Sequence, residues 1–420
     1  MPEIIGESRA SCYPYPIMHA DLLLAGIPAP FILFALTLLG IALFHHHTLK
    51  VALTGLAAVL LYKFTVTGFH AGAGLTGLLA HLGHEWVTLA NLFALLTGFA
   101  LLARHFEKTH IPVILPKWLA DDWKGGFQLL VMVFVLSGFL DNIAAAMIGG
   151  AMAHALFQGR VHIAFIAAIV AASNAGGAGS VVGDTTTTMM WLKGVSPLAV
   201  MEAYIAATVA LVVFGIPAAR VQQRYSPIVK NAHAHTHVDM RRLLIVLAIL
   251  AAAIGINIFI NLAHPDWADL FPWIGAAVWL VLLLSVPVRR PDWELLPEAA
   301  KGSFFLLALV LSASLMPVEA LPAPSWPATL GMGFVSAVFD NIPLTALALN
   351  QGGYDWGFVA FAVGFGGSML WFGSSAGVAL TNLFPEGKSA GQWLRHGWPI
   401  ALGYVVGYMA LYLIRGWHPA

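Results

Sequence analysis

The chain has 420 residues, of which 59% are hydrophobic and only 10% are charged, and its mean hydropathy is +0.82. Soluble domains average about 25% charged residues, so this composition excludes that class and predicts an all-α polytopic membrane protein. Lys and Arg (20) balance Asp and Glu (20), which gives no electrostatic case for nucleic-acid binding. Cys12 is the only cysteine, which excludes internal disulfides and cysteine-based metal sites.

Apolar stretches of about 20 residues, the length that crosses a bilayer, recur along the chain. Full spans are predicted near 27–44, 49–68, 86–104, 196–216, 243–262, 269–286, 302–320 and 396–414. Four further apolar stretches, 126–157, 161–192, 328–350 and 357–384, are interrupted near their centres by small or polar residues. A broken helix at membrane depth is tolerated only against protein or a water-filled cavity, so these four are the candidate substrate path.

Basic residues in the connecting segments predict the orientation. Lys and Arg concentrate in 104–125, 217–242 and 289–301, whereas 69–85, 263–268 and 317–327 contain none. Basic loops face the cytoplasm, which puts the N-terminus outside. The alternation of basic and non-basic loops is consistent only if 126–157 and 328–350 do not cross the membrane. Each must enter and leave on the same side, and the two segments must do so from opposite faces.

The predicted architecture is therefore an inverted-repeat secondary transporter with two re-entrant hairpins and two broken transmembrane helices. The first repeat is 1–216, with hairpin 126–157 and broken helix 161–192. A cytoplasmic linker, 217–242, joins it to the second repeat, 243–420, with hairpin 328–350 and broken helix 357–384.

Each hairpin carries the same signature, a serine followed after three residues by Asp-Asn-Ile. The copies are Ser137 to Asp141-Asn142-Ile143 and Ser336 to Asp340-Asn341-Ile342. A carboxylate in hydrocarbon is costly and by default marks an ion or substrate path. The alternative, that Asp-Asn only caps a helix restart, explains one copy better than two matched copies.

A glycine-rich break follows each hairpin, with the pattern Gly-Ser-x-x-Gly at 179–183 and 373–377. Glycine allows the backbone to unwind and expose carbonyls as ligands, although small residues also serve helix packing. Aligning the two patterns sets Asp184 opposite Val378 and predicts three buried acids rather than four. The four threonines 185–188 are expected to bond back to carbonyls of a kinked helix.

These motifs resemble NhaD-type sodium/proton antiporters, in the ion transporter superfamily that also contains arsenite permeases and citrate carriers. The resemblance rests on Ser173-Asn-Ala-Gly-Gly through Gly183-Asp184-Thr-Thr-Thr, on Asp340-Asn-Ile-Pro343, and on 366–370 with 373–379. It implies a multi-pass protein of the bacterial inner membrane. It also implies a homodimer with a scaffold domain and a transport domain that moves like an elevator.

The resemblance also implies the site. The expected ion- or substrate-binding residues are Asp141, Asn142, Ser173, Asn174, Gly183, Asp184, Thr185, Asp340, Asn341, Ser374 and Ser375, with Asp141, Asp184 and Asp340 holding Na⁺. No cofactor is expected, because Na⁺ (or Li⁺) and H⁺ are the transported species. An enzyme is disfavoured, since no nucleophile–base pair lies at membrane depth.

Two transport functions remain open: exchange of Na⁺ or Li⁺ for H⁺, and Na⁺- or H⁺-coupled uptake of citrate or a related organic anion. An anion calls for Arg or Lys, and only Arg160 and Lys193 lie near the interrupted segments, at their ends. Three acids would repel it, so cation exchange is favoured. The histidine clusters 45–47 and 233–237, and Glu85 near a span end, are interpreted as loop or surface residues.

Overall fold

The structure is a computed structural model that describes residues 22–24, 26–44, 47–69, 72–114, 118–229, 237–267, 270–339 and 341–420. Asp340 of the second hairpin lies outside the described residues, as do Cys12 and the histidines 45, 46, 233 and 235. The expectations for these positions stay predictions.

The described chain is almost entirely helical, which confirms the all-α polytopic class. One short antiparallel pair, β1 (Leu23–Leu24) with β2 (Ile27–Pro28), precedes the first helix. The helices are α1 (Ala29–Leu43), α2 (Thr48–Tyr62), α3 (Gly74–Glu107), α4 (Ile111–Ile114), α5 (Trp123–Ser137), α6 (Asn142–Leu156), α7 (Ile163–Ala178), α8 (Thr185–Leu192), α9 (Pro197–Met201), α10 (Ala203–Tyr225), α11 (Met240–Ala263), α12 (Trp273–Ser285), α13 (Leu296–Ser314), α14 (Trp326–Ser336), α15 (Asn341–Gln351), α16 (Trp356–Gly366), α17 (Ser375–Leu383) and α18 (Ala390–Arg415).

Six helical segments of the described chain are long and apolar enough to cross a membrane: Thr48–Thr67, Gly74–Glu107, Pro197–Tyr225, Met240–Ile260, Trp293–Ser314 and Ala390–Arg415. The first of these includes a π-helical end, Lys63–Thr67. The other two predicted full spans correspond to α1 and α12, which are shorter.

The prediction that 69–85 is a loop is wrong for most of its length, because α3 begins at Gly74. Three glycines and two histidines lower the hydropathy of 74–85 below that of a membrane span. Leu75, Leu78, Leu79 and Leu82 nevertheless keep a helical spacing, and they extend the helix.

Each segment predicted as a hairpin contains two successive helices that contact each other, α5 with α6 and α14 with α15. Both predicted helix breaks are present as well. In the first break α7 ends at Ala178 and α8 begins at Thr185; in the second α16 ends at Gly366 and α17 begins at Ser375. α10 continues to Tyr225, into the segment assigned to the linker.

The two half-helices α7 and α16 lie at the centre of the main hydrophobic core, with almost every residue buried, and pack on each other. Helices α10 and α18 cover them. The rings of Phe361 and Tyr404 stack with centroids 5.6 Å apart, and the Tyr404 hydroxyl donates to the Leu330 carbonyl at 2.7 Å. Each buried aromatic side chain contributes about 1.5–3 kcal/mol, so this core holds the half-helices rigidly.

Glycines allow each hairpin to touch the break that follows it. A Cβ at Gly183 would collide with the carbonyl of Ser137 at the end of α5, and a Cβ at Gly373 would collide with that of Ala337 after α14. Gly176 and Gly366 make the same kind of contact one turn earlier. The hairpin tips and the breaks therefore lie against each other in both halves of the chain.

Candidate ion-binding site

Asp184 lies immediately before α8 and caps it. Its Oδ1 accepts a hydrogen bond from the amide of Thr186 at 2.9 Å, and the side chain is buried. Its Oδ2 lies 3.4 Å from the amide nitrogen Nδ2 of Asn142, the first residue after the tip of the first hairpin. A carboxylate at a helix N-terminus is stabilised by the free amides and by the helix dipole.

Asn142 and Asn174 connect this carboxylate to the second break. Asn142 Nδ2 donates to Asn174 Oδ1 at 3.2 Å, and Asn174 Nδ2 donates to Ser368 Oγ at 2.9 Å and to Ser374 Oγ at 3.0 Å. All of these side chains are buried. One chain of amides and hydroxyls therefore joins residues that are 200 positions apart in sequence.

Ser374 holds the same position in the second break that Asp184 holds in the first. It directly precedes α17, and its hydroxyl accepts from the amide of Gly377 at 3.2 Å. The preceding residues, Gly183 and Gly373, make matching contacts with their hairpins. The prediction that Val378 is the counterpart of Asp184 is wrong, because Gly-Ser-x-x-Gly lies wholly within the first break but starts in the second break and ends in α17.

Three carbonyls of the first break, those of Ser180, Val181 and Asp184, accept hydrogen bonds within the protein and are not open as ligands. The hydroxyl of Thr187 donates to the carbonyls of Ser180 and Asp184, and that of Thr188 donates to those of Val181 and Asp184. The expected back-bonding of the threonines is thus confirmed, and it stabilises the kink. The carboxylates of Asp141 and Asp184 line the cavity described next.

A cavity of about 380 Å³ reaches this region between α3, α6, α8 and α13. Asp141, Asp184, Thr185 and Thr188 line one part of it, and Glu107 and Glu298 line another. Leucines of α3 and Leu306 of α13 form apolar walls. Carboxylates bounded by apolar walls act through a lower effective dielectric than in water, which strengthens their attraction for a cation.

The other predicted residues divide into two groups. Ser173 is buried and donates to the Val170 carbonyl at 2.9 Å, and Gly183 packs under the hairpin, so both have structural contacts. Asn341 is buried at the start of α15, and Ser375 is the first residue of α17. Among the described residues no group of three metal-ligating side chains is present, and Asp340 is not among them.

Sequence reasoning missed Ser368, Glu107 and Glu298. Ser368 stands in the Gly-Gly-Ser run that ends the first half of the broken helix, so its position beside a break was the available signal. The two glutamates carry no motif. They belong to the cavity only because α3 and α13 pack beside the first hairpin and its break.

Ion pairs connect the ends of neighbouring helices near Glu107. Lys108 and Arg104 both bind Asp292, with Nζ–Oδ2 at 2.5 Å and Nε–Oδ2 at 3.1 Å, and Arg289 binds Asp239 at 2.8 Å. The hydrogen bond from Lys108 is the main cause that lowers the pKa of Asp292, and that from Arg289 does the same for Asp239. Both aspartates are therefore ionised near neutral pH.

Glu85 and Lys193 form an ion pair. The sequence had suggested only that each residue lies at the end of a segment. Lys193 directly follows α8, and its Nζ lies 2.9 Å from Oε2 of Glu85 on α3. The glutamate side chain is 9% exposed and the lysine 31%. The pair joins the broken helix to the long helix that also lines the cavity.

No protein-family model matches the chain. Sodium/proton antiporter 1 of Arabidopsis thaliana is 28% identical over 298 residues, which are 62% of this chain and 50% of that protein. The Na⁺/H⁺ antiporter NhaD of Vibrio parahaemolyticus is 27% identical over 387 residues, 77% of this chain and 90% of that protein. NhaD of Vibrio cholerae is 28% identical over 66% of this chain and 67% of that protein. These relatives confirm the resemblance of the chain to NhaD-type sodium/proton antiporters.

Proposed function

We propose that this protein exchanges Na⁺, or Li⁺, for H⁺ across a membrane. The observation that carries the proposal is that Asp141 and Asp184 line one cavity and that Asp184 is connected through Asn142 and Asn174 to the second break. The relatives named as Na⁺/H⁺ antiporters support it. Asp340, whose motif matches that of Asp141, is proposed as the third carboxylate.

Exchange follows from competition for the same carboxylates. A hard cation prefers oxygen ligands, and Asp141, Asp184 and Thr185 supply carboxylate and hydroxyl oxygens at the cavity. A proton neutralises the same carboxylates and removes their attraction for the cation. The Thr186 amide fixes Asp184 Oδ1 at 2.9 Å, so the carboxylate keeps its place whichever ion it holds.

The cavity favours a cation over an organic anion. Its described lining contains four carboxylates, from Asp141, Asp184, Glu107 and Glu298, and no Lys, Arg or His. Binding a multivalent carboxylate usually requires a basic side chain or helix N-termini, and like charges oppose it. Citrate or a similar anion therefore remains the less favoured substrate.

The matched hairpins and breaks support the wider architectural proposal. We assign 1–216 and 243–420 to inverted repeats joined by 217–242, and we assign α5–α6 and α14–α15 to re-entrant hairpins. Alternating access by an elevator motion, a homodimer and a place in the bacterial inner membrane follow from the resemblance. Inverted repeats with broken helices at a central site are common in secondary transporters.

Purified protein in liposomes acidified inside tests the function. Adding Na⁺ or Li⁺ outside should dissipate the pH gradient, measured with a pH-sensitive dye, whereas K⁺ or citrate should not. Asp141→Asn and Asp340→Asn should each abolish the response. The matched control is Asp266→Asn, an exposed acid that neither lines the cavity nor adjoins a lining residue, and it should respond like the natural chain.

Full activity in both aspartate variants would overturn the site, and Na⁺-dependent citrate accumulation without proton movement would overturn the function. Cysteine labelling in a Cys12→Ser background tests the topology separately. Sites in 143–150 and 343–350 should be accessible from opposite sides of the membrane, and access from one side would contradict the inversion.

A further inference from the structure

A second cavity, of about 240 Å³, lies between α10 and α18 over α7. It shares no lining residue with the cavity of the proposed ion site. Its floor is apolar and buried, with Ala164, Ala168 and Phe214. Its edge carries Arg395, His396 and Trp398 from the first turns of α18.

Two prolines explain why tightly packed helices leave this groove. Pro217 lies inside α10 and Pro399 inside α18, and both line the cavity. A proline inside a helix removes the hydrogen bond to the carbonyl four residues earlier and pushes the chain aside. The carbonyls of Val213 and Arg395 therefore lose the amide donor that a regular helix would supply.

Positive charge collects at one end of the groove. Arg395 is exposed, and Arg224 lies one turn beyond the lining residue Val221 on the same face of α10. Among the described residues, no ion pair includes either arginine. The ring of His396 lies 5.1 Å from that of His162, which adds a second polar surface beside Arg395.

We propose that the groove binds one anionic phospholipid. Its phosphate would contact Arg395 and His396, and one acyl chain would cover Phe214 and Val221. Trp398 is 61% exposed at the edge, and tryptophan prefers the level of lipid headgroups. Basic pockets between membrane helices are a recurrent site for anionic headgroups.

The apolar floor distinguishes a lipid from a free phosphate ion. A phosphate ion would use Arg395 and leave the apolar surface of the groove uncovered, whereas a phospholipid covers both. The chosen probes are therefore phosphatidylglycerol, the zwitterionic phosphatidylcholine and inorganic phosphate, each added to the full chain in detergent. The readouts are the shift in thermal unfolding temperature and the number of lipids retained in native mass spectrometry.

Phosphatidylglycerol should raise the unfolding temperature and remain bound, while phosphatidylcholine and phosphate should do neither. Arg395→Gln should weaken phosphatidylglycerol binding about fivefold, the effect expected for one arginine near an anionic lipid. Val221→Trp, which fills the mouth without changing charge, should reduce binding too. Arg290→Gln, an exposed arginine elsewhere, is the matched control.

Equal binding by Arg395→Gln and Arg290→Gln would overturn the assignment. An equal shift with inorganic phosphate would show a soluble-anion site and overturn the lipid. If Arg395→Gln does not fold, Val221→Trp decides: unchanged lipid retention in that variant contradicts the proposal.

Discussion

The two helix breaks have similar backbones and different chemistry. In each, a half-helix ends, a glycine packs against the end of a hairpin, and a short-side-chain cap starts the next half-helix. The cap is a carboxylate in the first break, Asp184, and a hydroxyl in the second, Ser374. The two breaks thus share their local geometry, and they differ in that Asp184 supplies a carboxylate where Ser374 supplies a hydroxyl.

The largest expected effect comes from removing that charge. Asp184→Asn keeps a good helix cap, so the protein should fold, but exchange in liposomes should fall to the level of liposomes without protein. Ser374→Ala should keep part of its activity and lose about 0.5–2 kcal/mol of stability, the usual value of a cap. Ser325→Ala, which removes the cap of α14, is the matched control. Equal exchange activity in the Asp184 and Ser374 variants would contradict the prediction that the two breaks differ in function.

The close contact of hairpin and break should be equally sensitive in the two halves. Gly183→Ala and Gly373→Ala each place a methyl group against a backbone carbonyl, which should cost about 1–3 kcal/mol or more in thermal unfolding. Gly255→Ala in α11 meets nothing within 4 Å and should be neutral or slightly stabilising. A tolerated alanine at one of the two breaks would show that the halves do not share this contact.

The C-terminal ends of α8 and α17, the second half of each broken helix, differ as well. Lys193 after α8 pairs with Glu85, whereas Phe384 after α17 packs beside the ring of His154, 6.2 Å away. A double-mutant cycle of Glu85→Gln and Lys193→Met should give a coupling of about 1–2 kcal/mol, below that of a fully buried pair because the lysine is partly exposed. Phe384→Leu should cost less than about 1.5 kcal/mol. Additive effects in the cycle would show that the pair does not hold α8.

The smallest expected effect is the pH dependence of stability that comes from His162 and Asp355, the residues that cap α7 and α16. The two contributions change with pH in opposite directions. Burial, and then His396, lowers the pKa of His162, which caps α7 through Nδ1 at 3.1 Å from the Ala164 amide. Its contribution to stability is present above the ordinary histidine pKa, about 6.5, and is lost as the pH falls towards the lowered value. Burial raises the pKa of Asp355, which caps α16, so its contribution is lost as the pH rises from the ordinary aspartate value.

Thermal unfolding measured from pH 4 to pH 8 checks this contrast. His162→Asn should remove part of the loss of stability on acidification, and Asp355→Asn should remove part of the loss at higher pH. The same pH profile for both variants would contradict the assignment of opposite signs. Asn is the chosen replacement because it caps a helix without titrating.

Much of the architecture could be predicted from sequence because its signals are local. Apolar runs, the Asp-Asn signatures and the glycine clusters located the helix pairs α5–α6 and α14–α15 and the helix breaks to within a few residues. The errors arose where local composition misled. Glycines and histidines lowered the hydropathy of the first turns of α3, so these turns were predicted as a loop. The repeated Gly-Ser-x-x-Gly pattern suggested Val378 as the counterpart of Asp184, whereas Ser374 holds that position in the second break.

The sequence by itself determined that the chain is an apolar helical protein, that its helices break at particular glycines, and that costly acids lie in the two Asp-Asn signatures and at the first break. Only the tertiary structure decided which side chains meet. Asn174 reaches Ser368 and Ser374, Glu85 meets Lys193, and Glu107 and Glu298 share a cavity with Asp184. The physical reason is that hydropathy and helix capping act over a few residues, whereas these contacts depend on how helices from distant parts of the chain pack.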